Sequence, residues 1–81
     1  SIEVVVPSFL GMTLPEAKQT IEEYRLGFGA AHFDETPIDG ADSLKYRVYQ
    51  QTPDAGLSVY GGKAVELKLS KGTQEIDEDF F

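Results

Sequence analysis

The chain has one imidazole, His32, the side-chain type that most often moves protons near neutral pH, and it has no Cys. Without Cys there is no thiolate nucleophile, no thiolate zinc site and no disulfide. A lone histidine in a strand is most often structural or exposed, so such a place is expected for His32. The carboxylates come as Glu22-Glu23, Asp34-Glu35 and Asp77/Asp79. Neighbours on a helix or strand diverge, so these pairs do not converge on a reacting atom as a general acid and base must. Solvation is their expected role. The run Glu75, Asp77, Glu78, Asp79 could attract calcium loosely but lacks the glycine and spacing of an EF-hand loop, and no true site is expected there. Gly27-Phe28-Gly29 looks like a piece of a phosphate loop, yet it follows a helical pattern instead of a strand and reads as a helix stop. No catalytic constellation, metal or cofactor is expected.

Residue types suited to recognition are better represented. Lys45 to Gln51 alternates, with Tyr46, Val48 and Gln50 on one face and Lys45, Arg47, Tyr49 and Gln51 on the other. If Tyr46 and Val48 face the interior, Arg47, Tyr49 and Gln51 face outward, and Lys68 of the last strand shares that face. Cations, an aromatic plate and an amide then lie on one surface. The same residues would also serve as ordinary cross-strand partners that keep an open sheet soluble, with Glu66 pairing with one of the cations.

The elements that position this patch follow from spacing. Ile2 to Val6 is β-branched and stops at Pro7, which has no N–H to donate, so a short edge strand is expected. Thr13 with Glu16 three residues later forms a capping box, and Pro15 falls in the first turn where no donor is missed. Leu14, Ala17, Ile21 and Tyr24 then share one face of a helix of about a dozen residues, with Lys18, Gln19, Glu22 and Glu23 on the wet side. Gly27 is expected as the left-handed stop near Arg25. Residues 28–36 form a strand anchored by Phe28 and Phe33, and Pro37 to Asp42 an exposed loop. Thr52-Pro53-Asp54-Ala55-Gly56 and Gly61-Gly62 are turns, with Leu57 and Val59 pinning the loop between them to the core. Val65, Leu67 and Leu69 alternate with Ala64, Glu66 and Lys68, a period-2 strand. The order β-α-β-β-β predicts an α+β fold with one helix packed on a three-stranded antiparallel sheet whose other face is open to water.

Eighty-one residues with 41% hydrophobic residues and nine aromatics suffice for one module and one small core. The net charge of −7 argues against nucleic acid, whose binding depends on cations that neutralise phosphates. Residues 1–70 carry −4 and residues 71–81 carry −3, which divides a domain at 1–72 from an acidic, flexible tail at 73–81 that could dock through Phe80 and Phe81. No apolar run approaches the about 20 residues that cross a bilayer. The chain begins at Ser1 without an initiator Met or an apolar leader, so it is expected to derive from a longer or processed protein.

Taken together, Val6-Pro7, Gly11-Met12-Thr13, Glu16-Ala17, Gln51-Thr52-Pro53 with Gly56 and Gly62, and Val65-Glu66-Leu67-Lys68-Leu69-Ser70 form an ordered set. The chain resembles a PASTA domain over nearly all of residues 4–72. The resemblance implies a β-α-β-β-β fold and a non-catalytic extracytoplasmic module of the kind carried by membrane-anchored bacterial Ser/Thr kinases and high-molecular-weight penicillin-binding proteins. It implies binding or sensing of peptidoglycan fragments or other cell-wall glycopeptides, with partner proteins or neighbouring PASTA copies as further partners. Such ligands offer sugar faces, carboxylates and in some peptides an ammonium group, which Tyr49, Gln51 and the cations Arg47 and Lys68 would meet. The alternative is a spacer or protein-interaction module that does not bind peptidoglycan. Two departures stand out: the stretch from Ala31 to Tyr46 is longer than the usual connection, and Lys63 replaces the small hydroxyl residue that often follows the glycine. Ligand contacts are expected to differ accordingly. The tail Asp77-Glu78-Asp79-Phe80-Phe81 looks like a natural chain end, so this is expected to be the last domain of its parent.

Overall fold

Helix α1 (Leu14–Glu23) starts where the capping box places it: the Thr13 hydroxyl accepts from the Glu16 N–H at 3.4 Å, and the Glu16 carboxylate accepts from the Thr13 N–H at 2.9 Å. Two of the N–H groups orphaned at a helix start are thereby satisfied. The structure, a computed structural model, describes residues 2–72. Within them the order is β1 (Glu3–Val5), α1, β2 (Gly27–Phe33), α2 (Gly40–Ser43), β3 (Arg47–Thr52), β4 (Ser58–Tyr60) and β5 (Ala64–Ser70). The tail expected from residue 73 lies outside the described residues.

The α+β class and the helix-on-sheet layering are as expected; the sheet is not strictly antiparallel. Its order is β2-β5-β3, with β2 parallel and β3 antiparallel to the central β5. Alternation reports which face of a strand is buried and carries nothing about the direction of its neighbour, so a run of hairpins was the wrong extrapolation. The chain leaves β3, forms β4 in a second sheet with β1, and only then returns as β5. In that second sheet Val4 faces Val59 in antiparallel register and both pack on the core. Leu57, expected as a pin, is 52% exposed.

The core joins both layers. Val65, Leu67 and Leu69 of β5 are fully buried and meet Ala17 and Ile21 of α1, Val48 and Tyr46, and the loop residues Val6 and Phe9. Each large apolar side chain so buried contributes about 1.5–3 kcal/mol. Phe33 stacks edge-on against Tyr46 with ring centroids 5.2 Å apart. Two expected core members are outside: Tyr24 is the exposed C-cap of α1, and Phe28 lies at the surface with the Lys18 ammonium 4.8 Å over its ring.

The helix stop is also displaced by two residues. Arg25, not Gly27, takes the left-handed conformation (φ 58°). The Leu26 N–H donates to the Ile21 carbonyl at 2.9 Å and the Arg25 N–H to the Glu22 carbonyl at 3.0 Å, the two bonds of a Schellman motif. Buried Leu26 and Ile21 close it from the apolar side, and that packing outweighs the cost of a side chain at φ > 0. Gly27 is required for another reason: a Cβ there would lie 2.8 Å from the Gly62 carbonyl oxygen, where the two backbones meet.

The stretch expected as an exposed loop, Pro37 to Asp42, contains the single turn α2. Asp39 caps it through the Asp42 N–H at 2.8 Å, and Asp42 itself is buried. Its carboxylate accepts from the Ile38 N–H at 2.9 Å and pairs with the Lys71 ammonium at 3.0 Å, which also sits 5.3 Å from the Tyr46 ring. The Ile38 N–H first, and Lys71 second, hold this carboxyl below the ordinary carboxylate range.

The largest departure is Gln51. A bulge in β3 between Val48 and Gln50 inserts Tyr49 without a partner on β5, so the alternation restarts one residue late. Gln50 therefore faces out and Gln51, placed outside by simple alternation, is 7% exposed. Its Oε1 accepts the Phe9 N–H at 2.8 Å, and its Nε2 donates to the Pro7 and Pro53 carbonyls, each at 3.0 Å.

Three outcomes test this account. Gln51→Leu leaves the Phe9 N–H and two carbonyls unpaired and is expected to cost about 2–4 kcal/mol by urea unfolding, against about 0.5 kcal/mol or less for Gln50→Leu. Arg25→Gly is expected to stabilise by about 0.5–1 kcal/mol and Gly27→Ala to destabilise, the reverse of a helix stopped at Gly27. A carboxyl lowered on folding adds stability above its unfolded value and loses it as pH falls through the folded one. Asp42→Asn should therefore be less stable than the parent at neutral pH, with the gap closing below about pH 4.

Candidate functional site

Alternation on β5 turns Val65, Leu67 and Leu69 toward α1, which leaves Glu66 and Lys68 on the opposite face of the sheet. The register fixes their neighbours. Lys68 lies between His32 on β2 and Gln50 on β3, and Glu66 lies between Ala30 and Thr52. Among the described residues no element covers this face. The His32 imidazole and the Glu66 carboxylate, 57% and 63% exposed, approach to 3.6 Å along a diagonal between rows. The side chain that Glu66 meets is thus the His32 imidazole, with Lys68 next to it.

The four residues singled out from the sequence are dispersed by these elements. Lys68 holds the centre of the open face, between its register partners His32 and Gln50. Tyr49, 52% exposed, projects from the bulge beside Gln50. Arg47 stands opposite Ser70 at the edge of the sheet, and its guanidinium is drawn toward α1: Nη1 donates to the Gly11 carbonyl at 3.1 Å and lies 3.9 Å from the Glu16 carboxylate. The N–H of Gly11 and the carbonyl of Met12 both bond Val48, which holds this segment along the edge of β3. Gln51 is interior and takes no part in the surface.

The surface consequently offers a row of imidazole, ammonium and amide (His32, Lys68, Gln50), an acid beside it (Glu66), and an aromatic ring and a guanidinium along one side (Tyr49, Arg47). It can meet carboxylates, amides and hydroxyls of a ligand lying flat, and among the described residues no group of His, Asp and Glu is placed to hold a metal ion. Gln50 escapes a sequence reading because its outward turn depends on the bulge. His32 joins the row through the parallel pairing of β2 and β5, which a pattern of alternation does not reveal. No helix among the described residues is long and apolar enough to cross a membrane.

The chain is similar to a protein of Corynebacterium glutamicum described as "Probable serine/threonine-protein kinase PknB", with 35% identity over 71 residues, covering 88% of this chain and 10% of that protein. The chain thus spans about a tenth of the length of this relative. No solved structure matches it. The family model of the PASTA domain matches residues 4–71, from β1 through the end of β5, and the chain belongs to the PASTA domain family.

Proposed function

We propose that this chain is a cell-wall ligand-binding or sensing module of a larger, membrane-anchored, extracytoplasmic protein, and that it binds peptidoglycan fragments through the open face of β2-β5-β3. The observation that carries the reading is the uncovered row His32–Lys68–Gln50 with exposed Tyr49 and Arg47 at its side, on a PASTA domain similar to part of a kinase named PknB. A sugar ring lies against Tyr49, ligand carboxylates meet Lys68 and Arg47, and peptide amides meet Gln50. Gln51 supports the surface from behind by fixing the loops at Pro7, Phe9 and Pro53. The face is flat and wet, so affinity is expected to be modest.

A specific observation also favours a second reading as an in-line spacer. Ile2 is bonded to Gly61 beside the start of β5, while Lys71 follows its end, so the chain enters and leaves at opposite ends of a seven-residue strand, about 20 Å apart. Such a module lengthens a stalk by a fixed step whether or not it binds ligand.

The test is a titration of the 81-residue chain with a defined soluble muropeptide, followed through backbone amide shifts. Saturating shifts clustered on Lys68, Tyr49 and Gln50 are expected, with Lys68→Ala, Tyr49→Ala and Arg47→Ala each weakening binding about three- to tenfold. Flat spectra up to millimolar ligand contradict the binding role and leave the spacer.

A further inference from the structure

The open face holds its charges in an order that bears on how it selects ligands. His32 and Lys68 are register partners on adjacent strands, so two nitrogen cations stand side by side whenever the imidazole is protonated. Glu66 reaches His32 at 3.6 Å and is the counter-ion already present. With a neutral imidazole, the group of His32, Glu66 and Lys68 sums to zero, because the carboxylate cancels the ammonium. With an imidazolium it carries one positive charge and more N–H donors. Histidine is the side chain whose charge changes between about pH 5 and 8. The other groups around the row do not oppose this change. From β3 it is faced by Gln50 and Thr52, neither of which titrates, with Arg47 and Tyr49 along the edge. Asp34 follows β2 beyond Phe33, and α1 packs against the other face of the sheet.

We propose that His32, Lys68 and Gln50 form a carboxylate-binding subsite on the open face, with Glu66 as the resident competitor, so that the site takes up carboxylate-bearing ligands more tightly in mild acid than in base. The ligand carboxylate sits between the imidazolium and the ammonium and accepts from both. The Gln50 amide supplies a third donor. Glu66 turns from competitor into partner of the imidazolium as the site is protonated. This inference rests on the open-face reading and adds to it a ligand group and a control by pH.

The experiment repeats the muropeptide titration of the 81-residue chain at about pH 5.5 and about pH 8, both above the range in which ordinary carboxylates protonate. One added unit charge at contact distance on an exposed surface predicts about three- to tenfold tighter binding at the lower pH. His32→Gln is expected to abolish that difference, Glu66→Gln to tighten binding at the higher pH, and a muropeptide with its carboxylates amidated to bind equally at both. Binding that does not change with pH, or a pH dependence that persists in His32→Gln, overturns the subsite while leaving the open face as the ligand surface. Absence of binding at either pH overturns the subsite and the binding function together.

Discussion

One buried amide holds the parts of this domain in register. Gln51 accepts the Phe9 N–H and donates to the carbonyls of Pro7 and Pro53, so a single side chain ties the loop after β1, the core residue Phe9 and the turn after β3 to one another. None of these loop groups has a ladder partner, and a buried N–H or C=O left unpaired is costly. A primary amide offers an acceptor oxygen and two N–H donors on one neutral side chain, and Gln51 uses all three. The bulge at Tyr49 is what brings it inside, and the two features therefore depend on each other: without the bulge, Gln51 faces water and the loops lose their tie.

The same bulge makes the candidate surface. Because Tyr49 is extra to the ladder, Tyr49 and Gln50 are both exposed, and the open face gains an aromatic ring beside an amide where strict alternation would give only one of them. On the same face, toward the other edge of the sheet, the parallel pairing of β2 and β5 sets His32 against Lys68. The recognition surface is thus a product of irregularity in β3 and of strand direction in β2, while the regular parts of the fold, the capped helix and the alternating β5, supply the rigid layer beneath.

That division explains what could be read from the residues. Thr13, Pro15 and Glu16 mark the helix start because capping is a local interaction, and Val65, Leu67 and Leu69 mark the buried face because a strand's period is local too. The α+β layering follows from these. Gln51 could not be placed, since a one-residue insertion inverts every later side chain and leaves no trace in composition. Arg25 holds the left-handed position although Gly27 is the residue suited to it, because the burial of Leu26 against Ile21 decides where the helix ends. Lys68 and Tyr49 were found on the exposed surface, whereas Arg47 is drawn over the sheet edge by Gly11 and Glu16, partners remote in sequence. Long-range pairings of this kind are set by tertiary structure.

Gln51 is the tie, and hydrogen exchange of the Phe9 amide reads it directly. This N–H lies in a loop, and its bond partner is the Gln51 Oε1 at 2.8 Å. If the amide closes the structure as described, Phe9 exchanges only on global unfolding, with protection equal to that of Leu67 at the centre of β5. Exchange of Phe9 at the rate of an open loop, with Leu67 still protected, would contradict it.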